Sequence, residues 1–165
     1  MAATEHYGVL APVPIAGERH QLAPSGYCRA PLTVAWQDRV QVPTGTEVNS
    51  KVWLADLSWD FIPDAQLSML YFDDAGTGQS IDIGDANDPD ALVDGQDIAT
   101  AAGSCSLLKT VDIAKYGDPM WKLLGYATRE AALKTGSRAR VYATILGATT
   151  GAAMDLAWKF VGANA

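Results

Sequence analysis

From about residue 46 onward the chain breaks into short apolar and β-branched runs, each closed by a cluster of turn formers. Turn signals recurring about every 8–12 residues are the pattern of a β-sandwich or jelly roll, since a longer helix would need an unbroken 3.6-residue period. The segments 48–57 (VNSKVWLADL) and 65–72 (AQLSMLYF) read as strands, and 79–84 (QSIDIG) puts Ile81 and Ile83 on one face. The run 104–113 (SCSLLKTVDI) reads as another strand. In 138–148, Val141, Ala143 and Ile145 alternate with Tyr142, Thr144 and Leu146; in 152–161, Met154, Leu156, Trp158 and Phe160 share a face. The turn clusters DDAGTG (73–78) and ATTG (148–151) predict two hairpins, 65–72 with 79–84 and 138–148 with 152–161.

Two short helical pieces interrupt this. Asp118 is a capping residue, Pro119 suits a first helical position, and the piece MWKLLG stops at Gly125. In TREAALKTG, Thr128 caps and Gly136 stops. The fold class is therefore mainly β: a β-sandwich or jelly-roll-like domain with one or two short helices. The expected core includes Val52, Leu54, Leu67, Leu70, Trp121, Leu124, Val141, Ile145, Leu156 and Trp158, with Trp121 plugging one open end.

Residues 1–45 read differently. Five of the eight prolines fall there, at 12, 14, 24, 31 and 43. Proline removes a donor and forbids helix, which predicts an extended N-terminal arm ahead of a β-sandwich domain at 46–165. The arm is not disordered by composition, because Val9, Leu10, Val13, Ile15, Leu22, Tyr27, Leu32, Val34 and Trp36 give it apolar surface to bury. It is expected to lie either on its own domain or on a neighbouring subunit or scaffold. An extended arm of that length reaches on the order of 100 Å at about 3.3 Å per residue. The candidate partner-binding residues are Tyr7, Leu10, Val13, Ile15, Leu22 and Trp36. Deleting residues 1–44 is expected to leave a folded domain that no longer binds.

Charge is divided along the chain. Between Lys51 and Lys109 there are eleven Asp and no Lys or Arg, while residues 109–165 carry eight basic and four acidic residues. The net charge of −7 disfavours nucleic acid as a partner. The division predicts an acidic face with the basic residues Lys109, Lys115, Lys122, Arg129, Lys134, Arg138 and Arg140 set apart from it. Docking through such faces weakens with added salt.

A chain of 165 residues buries roughly 70% of its unfolded surface and needs neither disulfide nor metal to fold. Cys28 and Cys105 read as two reduced thiols. MAATEHYGVL shows no basic n-region or apolar run, and no stretch approaches 18 apolar residues, so no signal peptide and no membrane association are expected.

Catalytic patterns are missing from the sequence. His6 and His20 stand in the arm without a partnering motif, and Ser104 and Ser106 flank Cys105 without G-x-S-x-G. GTGQSIDIG lacks the third glycine of a phosphate loop and precedes a strand. The acidic loops lack the EF-hand spacing, and Asp is an ordinary turn residue, so no calcium site or other cofactor is expected. Trp53, Trp59, Trp121 and Trp158 could line a sugar platform, but at these positions core is the preferred reading.

The order of features carries a resemblance. L-S-M-L-Y-F is followed by D-D-A-G-T-G and I-D-I-G-D-A-N-D-P-D-A-L, then G-D-P-M-W-K-L-L-G-Y, then the closing R-V-Y-A-T-I-L-G-A-T-T-G-A-A-M-D-L-A-W-K-F-V. Over residues 46–162 the chain resembles small virion structural proteins of tailed bacteriophages, in particular capsid decoration (cement) proteins. The resemblance implies a non-enzymatic protein on the outer capsid surface of a virion, made in the host cytoplasm. Its implied partners are the major capsid protein and further copies of itself, a trimer being the favoured homo-oligomer. A phage neck or tail component, or a carbohydrate-binding module, are the alternatives.

Overall fold

A computed structural model describes residues 5–7 and 36–164 of the chain. Eleven strands alternate with turns in chain order: β1 (Glu5–Tyr7), β2 (Trp36–Val42), β3 (Lys51–Leu57), β4 (Phe61–Pro63), β5 (Met69–Phe72), β6 (Ser80–Gly84), β7 (Val93–Asp97), β8 (Gly103–Ser106), β9 (Ala139–Leu146), β10 (Met154–Phe160) and β11 (Gly162–Asn164). They form a five-stranded sheet in the order β1-β3-β9-β6-β7, a four-stranded sheet β2-β10-β5-β8, and a small pair β11-β4. The mainly β fold is that of a β-sandwich.

The core lies between the two larger sheets because strands such as β9 and β10 alternate, burying every second residue. From the five-stranded sheet come Val52, Leu54, Ile81, Ile83, Val141, Ala143 and Ile145; from the four-stranded sheet come Val42, Leu70, Phe72, Met154, Leu156, Trp158 and Phe160. Trp158 also ties the layers together, its indole Nε1 donating to the Leu54 carbonyl at 2.7 Å in the buried interior. A buried indole N–H left without an acceptor would be costly, so this bond fixes the tryptophan's orientation. In β3 the alternation fails, with 52–55 all buried, because the register against β9 slips by one residue between Trp53 and Ala55. Such a bulge re-aims side chains along one strand.

Neither expected hairpin forms. β5 pairs with β10 and β8, whereas β6 pairs with β9 and β7; β9 and β10 likewise sit in different sheets. The turn clusters are arches that carry the chain from one layer to the other. Their backbones dock on each other and on the loop after β2: Gly151 N–H donates to Ala75 O at 3.1 Å, Gly45 N–H to Thr150 O at 2.8 Å, and Gln79 Nε2 to Thr149 O at 2.6 Å. Gly147 makes this possible. Its φ is +82°, and a Cβ there would stand 2.1 Å from the Gly78 carbonyl oxygen. An alternating strand serves a hairpin or an arch equally well, so the sequence pattern does not separate them.

The helical insert is α1 (Met120–Leu123) and α2 (Arg129–Thr135). Thr128 caps α2 through its hydroxyl, which accepts from the Ala131 N–H at 3.1 Å. Pro119, not Asp118, is the residue before α1, and the Asp118 carboxylate pairs with Lys122 at 3.2 Å instead. The expected plug passes from Trp121 to its neighbours: Met120 and Leu124 are fully buried while Trp121 is half-buried. The short helix turns Met120, Leu123 and Leu124 inward and leaves Trp121 at its flank. Leu67 is the other correction. It is 49% exposed, because residues 65–67 form a turn held by the Asp64 carboxylate, which accepts from Gln66 N–H and Leu67 N–H at 2.9 Å each. The remaining eight expected core residues are buried. The expected strand 104–113 ends at Ser106, after which Leu107 and Leu108 fold inward and Ile113–Lys115 form a single 3-10 turn.

Candidate docking surface

One long side of the sandwich is built from β1, β3 and β2. Among the described residues β3 is paired on that side only at its first three residues, where Glu5, His6 and Tyr7 lie parallel to Lys51, Val52 and Trp53. β2 is the edge of the other sheet. All seven of its residues pair with β10, from Trp36 opposite Phe160 to Val42 opposite Met154. A strand of that length at an edge presents a row of main-chain donors and acceptors, the feature by which extended segments add to sheets.

Two residues of the sequence-derived candidate set converge here. Tyr7 is the cross-strand partner of Trp53. Trp36 stands edge-on to the same Trp53, with ring centroids 5.4 Å apart and planes at 78°. Trp36 is half-buried against the core, and its indole Nε1 is buried with no hydrogen-bond partner among the described residues. Leu10, Val13, Ile15 and Leu22 lie outside the described residues. The first strand of the four-stranded sheet therefore begins within 1–45. The alternation that shows it, with Asp38 and Val42 buried and Gln37, Arg39 and Gln41 exposed, is visible in WQDRVQV.

Beside that edge lies the outward face of the four-stranded sheet. Ala157 stands between Arg39 and Tyr71 by register, and Lys159 between Gln37 and Met69. The small alanine among long neighbours leaves a depression of about 390 Å³. The sequence reading missed this face, whose signal was the polar phase of two strands already assigned by their apolar phase.

The charge layout is less divided than the sequence implied. Arg129 grips Asp60 with two hydrogen bonds of 2.6 Å, and Arg140 meets Asp56 at 3.2 Å. The Arg129 guanidinium beside Asp60 holds that carboxyl below its usual range. Acidic residues with no ion pair among the described residues gather instead around 82–97, at the opposite side. Burial raises the Asp82 carboxyl, and the charges of Asp94 and Asp90 add to it. Burial also raises Asp88, followed by its hydrogen bond to Asp90 and the nearby Asp90 and Asp85 charges. Lys115 and Lys122 share a depression of about 340 Å³ with Asp88, Asp90, Asp94 and Asp112, so acid and base interleave there.

The other candidates have structural employment. Trp53 and Trp59 are 3% and Trp158 is 2% exposed, so these three line no sugar platform. The Ser106 hydroxyl donates to Ala65 O at 2.7 Å and accepts from Leu108 N–H at 3.1 Å. Cys105 is a free thiol whose pKa burial pushes up, away from reactivity. Among the described residues no group of three or more His, Cys, Asp or Glu could hold a metal ion, and no helix is long and apolar enough to cross a membrane.

No family model and no curated protein matches the chain. Among solved structures it is similar to a chain of the cyanophage Pam1 capsid asymmetric unit. The two are 15% identical, the alignment covers 91% of this chain and 98% of that one, and the TM-score is 0.47. A likeness of that size carries no argument about function.

Proposed function

We propose that this chain is a bacteriophage virion structural protein that decorates the outer capsid surface and stabilises it by bridging neighbouring major capsid subunits. The observation that carries the reading is the open side of the sandwich. There, among the described residues, a seven-residue edge strand and a second edge paired over only three residues lie together beside the point where the N-terminal segment meets the domain. Main-chain pairing along such edges gives grip without a dedicated pocket, and apolar residues of the N-terminal segment add buried area. The sequence resemblance to decoration proteins supports the same reading.

Binding to purified undecorated shells tests it. The full chain should bind at a copy number of the same order as the major capsid protein, whereas a chain beginning at Trp36 should not. Full occupancy by the shortened chain would place the grip elsewhere. A copy number far below that of the shell protein would move the chain to a neck or tail position.

A further inference from the structure

The outward face of the four-stranded sheet offers a ligand side chains only. Its strand β10 is paired to β2 on one side and to β5 on the other, so the main chain at Ala157 and Lys159 is taken up in the ladders. Four side chains surround the depression over Ala157: Gln37 and Arg39 from β2, Lys159 from β10 and Tyr71 from β5. Tyr71 is 44% exposed while Leu70 and Phe72 beside it are buried, so β5 holds the ring outward. Arg39 and Tyr71 flank Ala157 from the two neighbouring strands. Their backbones stand two strand spacings apart, on the order of 9–10 Å. A helix, about 10–12 Å across with its side chains, does not enter a gap of that width. An extended peptide laid there would find no main-chain partners, which it needs for its own donors and acceptors.

The rim has a definite chemistry. The phenol of Tyr71 gives an apolar face with a polar tip. Gln37 both donates and accepts, the Arg39 guanidinium presents a planar fork that matches a carboxylate, and Lys159 adds a second cation. Among the described residues neither cation forms an ion pair, whereas Arg129 and Arg140 are held by Asp60 and Asp56. Two uncommitted cations beside an exposed aromatic ring stand out in a chain with twelve basic and nineteen acidic residues.

We propose that this depression binds an acidic saccharide, its sugar ring resting on Tyr71 and Ala157, its carboxylate on Arg39 and Lys159, and a hydroxyl on Gln37. A sugar ring has apolar C–H faces and a polar rim, the complement of an aromatic floor bordered by donors. The net charge of −7 opposes an anionic ligand only at long range, because fields are screened over about 8–10 Å at physiological ionic strength. The site uses the sheet face and the capsid reading uses the edges, so either can fail without the other.

Titration of the full chain with oligogalacturonate and with sialyllactose, followed by calorimetry, tests it. Their neutral counterparts, the methyl ester and lactose, and the acidic peptide hexaglutamate are run beside them. At least one acidic saccharide should bind, and its neutral counterpart should bind about tenfold or more weakly, as expected when a charge-assisted hydrogen bond is lost. Tyr71→Ala and Arg39→Gln should each weaken binding to a similar degree. Ala157→Val, which fills the depression with a residue that favours strands, should abolish it. A thermal transition like the parent's identifies the variants that fold, and any one of the three that folds decides the matter. Lys115→Gln, on the opposite side, should bind as the parent does. Absence of binding by both acidic saccharides overturns the proposal, as does undiminished binding by a folded variant. Hexaglutamate binding as tightly as the saccharide overturns it too, and would make the face a site for acidic peptides.

Discussion

The two long sides of the sandwich treat their sheet edges in opposite ways. On one side β7 and β8 are short, at five and four residues. β7 departs from regular register against β6 and carries Gly95 at φ +58°. The loop after β8 folds over it, with Asp94 N–H donating to the Thr110 hydroxyl at 2.8 Å, Thr110 N–H to Leu92 O at 3.1 Å, and Lys109 Nζ to Gln96 at 2.8 Å. Shortness, irregular pairing, charge and a covering loop are the devices by which proteins keep an edge from pairing with other chains. On the other side β2 is seven residues long and, among the described residues, β3 is paired on its outer edge over three of its seven. Among the described residues the two sides thus differ in how their edges are covered, and the less covered one is the side where residues 5–7 pair.

The comparison breaks or holds first at the cut between segment and domain. Because Trp36–Val42 pair with β10 along their whole length and Val42 is fully buried, removing residues 1–44 takes a strand out of the sandwich. That truncation should lose cooperative unfolding, whereas removal of residues 1–35 should leave a sharp thermal transition. Calorimetry of the two side by side reads this directly. A sharp transition from the shorter chain would mean that β2 belongs to the segment rather than to the sandwich.

The guarded side is sharpened by its plug. Leu124 is fully buried, and its carbonyl accepts from Asn87 Nδ2 at 3.1 Å, fastening α1 to the acidic loop. Leu124→Ala should cost about 2–5 kcal/mol, as truncation of buried leucines does. Trp121→Ala should cost less, since its ring is half-exposed with Lys122 Nζ above it at 5.5 Å. Denaturant midpoints rank the two. A larger loss at Trp121 would return it to the plugging role that the sequence suggested.

Much of the sandwich was legible because burial at strands follows a period of two, and β9 and β10 obey it without exception. What the period cannot carry is partnership. The same alternation in 65–72 and 79–84 serves a hairpin or an arch, and the choice falls to contacts between loops far apart in sequence, such as Gly147 against Gly78 and Gly151 against Ala75. β2 was hidden for a different reason. Proline content was read over a window, and Pro43 lies one residue past a strand whose own alternation is intact. This side was therefore visible only in part: Tyr7 and Trp36 were singled out, while Trp53, which pairs with the one and packs on the other, was weighed as core or sugar platform and not as a meeting point.

The smallest expected effect concerns the acidic residues of the guarded side. Asp82 and Asp88 have carboxyls raised above the ordinary value by burial and by neighbouring carboxylates. The folded chain therefore holds their protons more tightly than the unfolded chain, where a carboxyl titrates near about 3.9. Their contribution to stability is fully present below that value and is lost as pH rises through the folded pKa. Asp60 and Asp97 act the other way. Hydrogen bonds from Arg129, and from Thr100 and Ala99, lower their carboxyls, so their contribution is present above the unfolded value and is lost as pH falls through the folded one. Asp88→Asn removes one of the first kind. It should raise stability slightly at pH 7, by less than about 0.5 kcal/mol as for most surface changes, and have no effect at pH 3. Thermal melts of both proteins across that range measure the difference. A variant less stable than the parent at neutral pH would mean that the Asp88 charge is itself held by an attraction, and the guarded side would then owe part of its structure to its carboxylates.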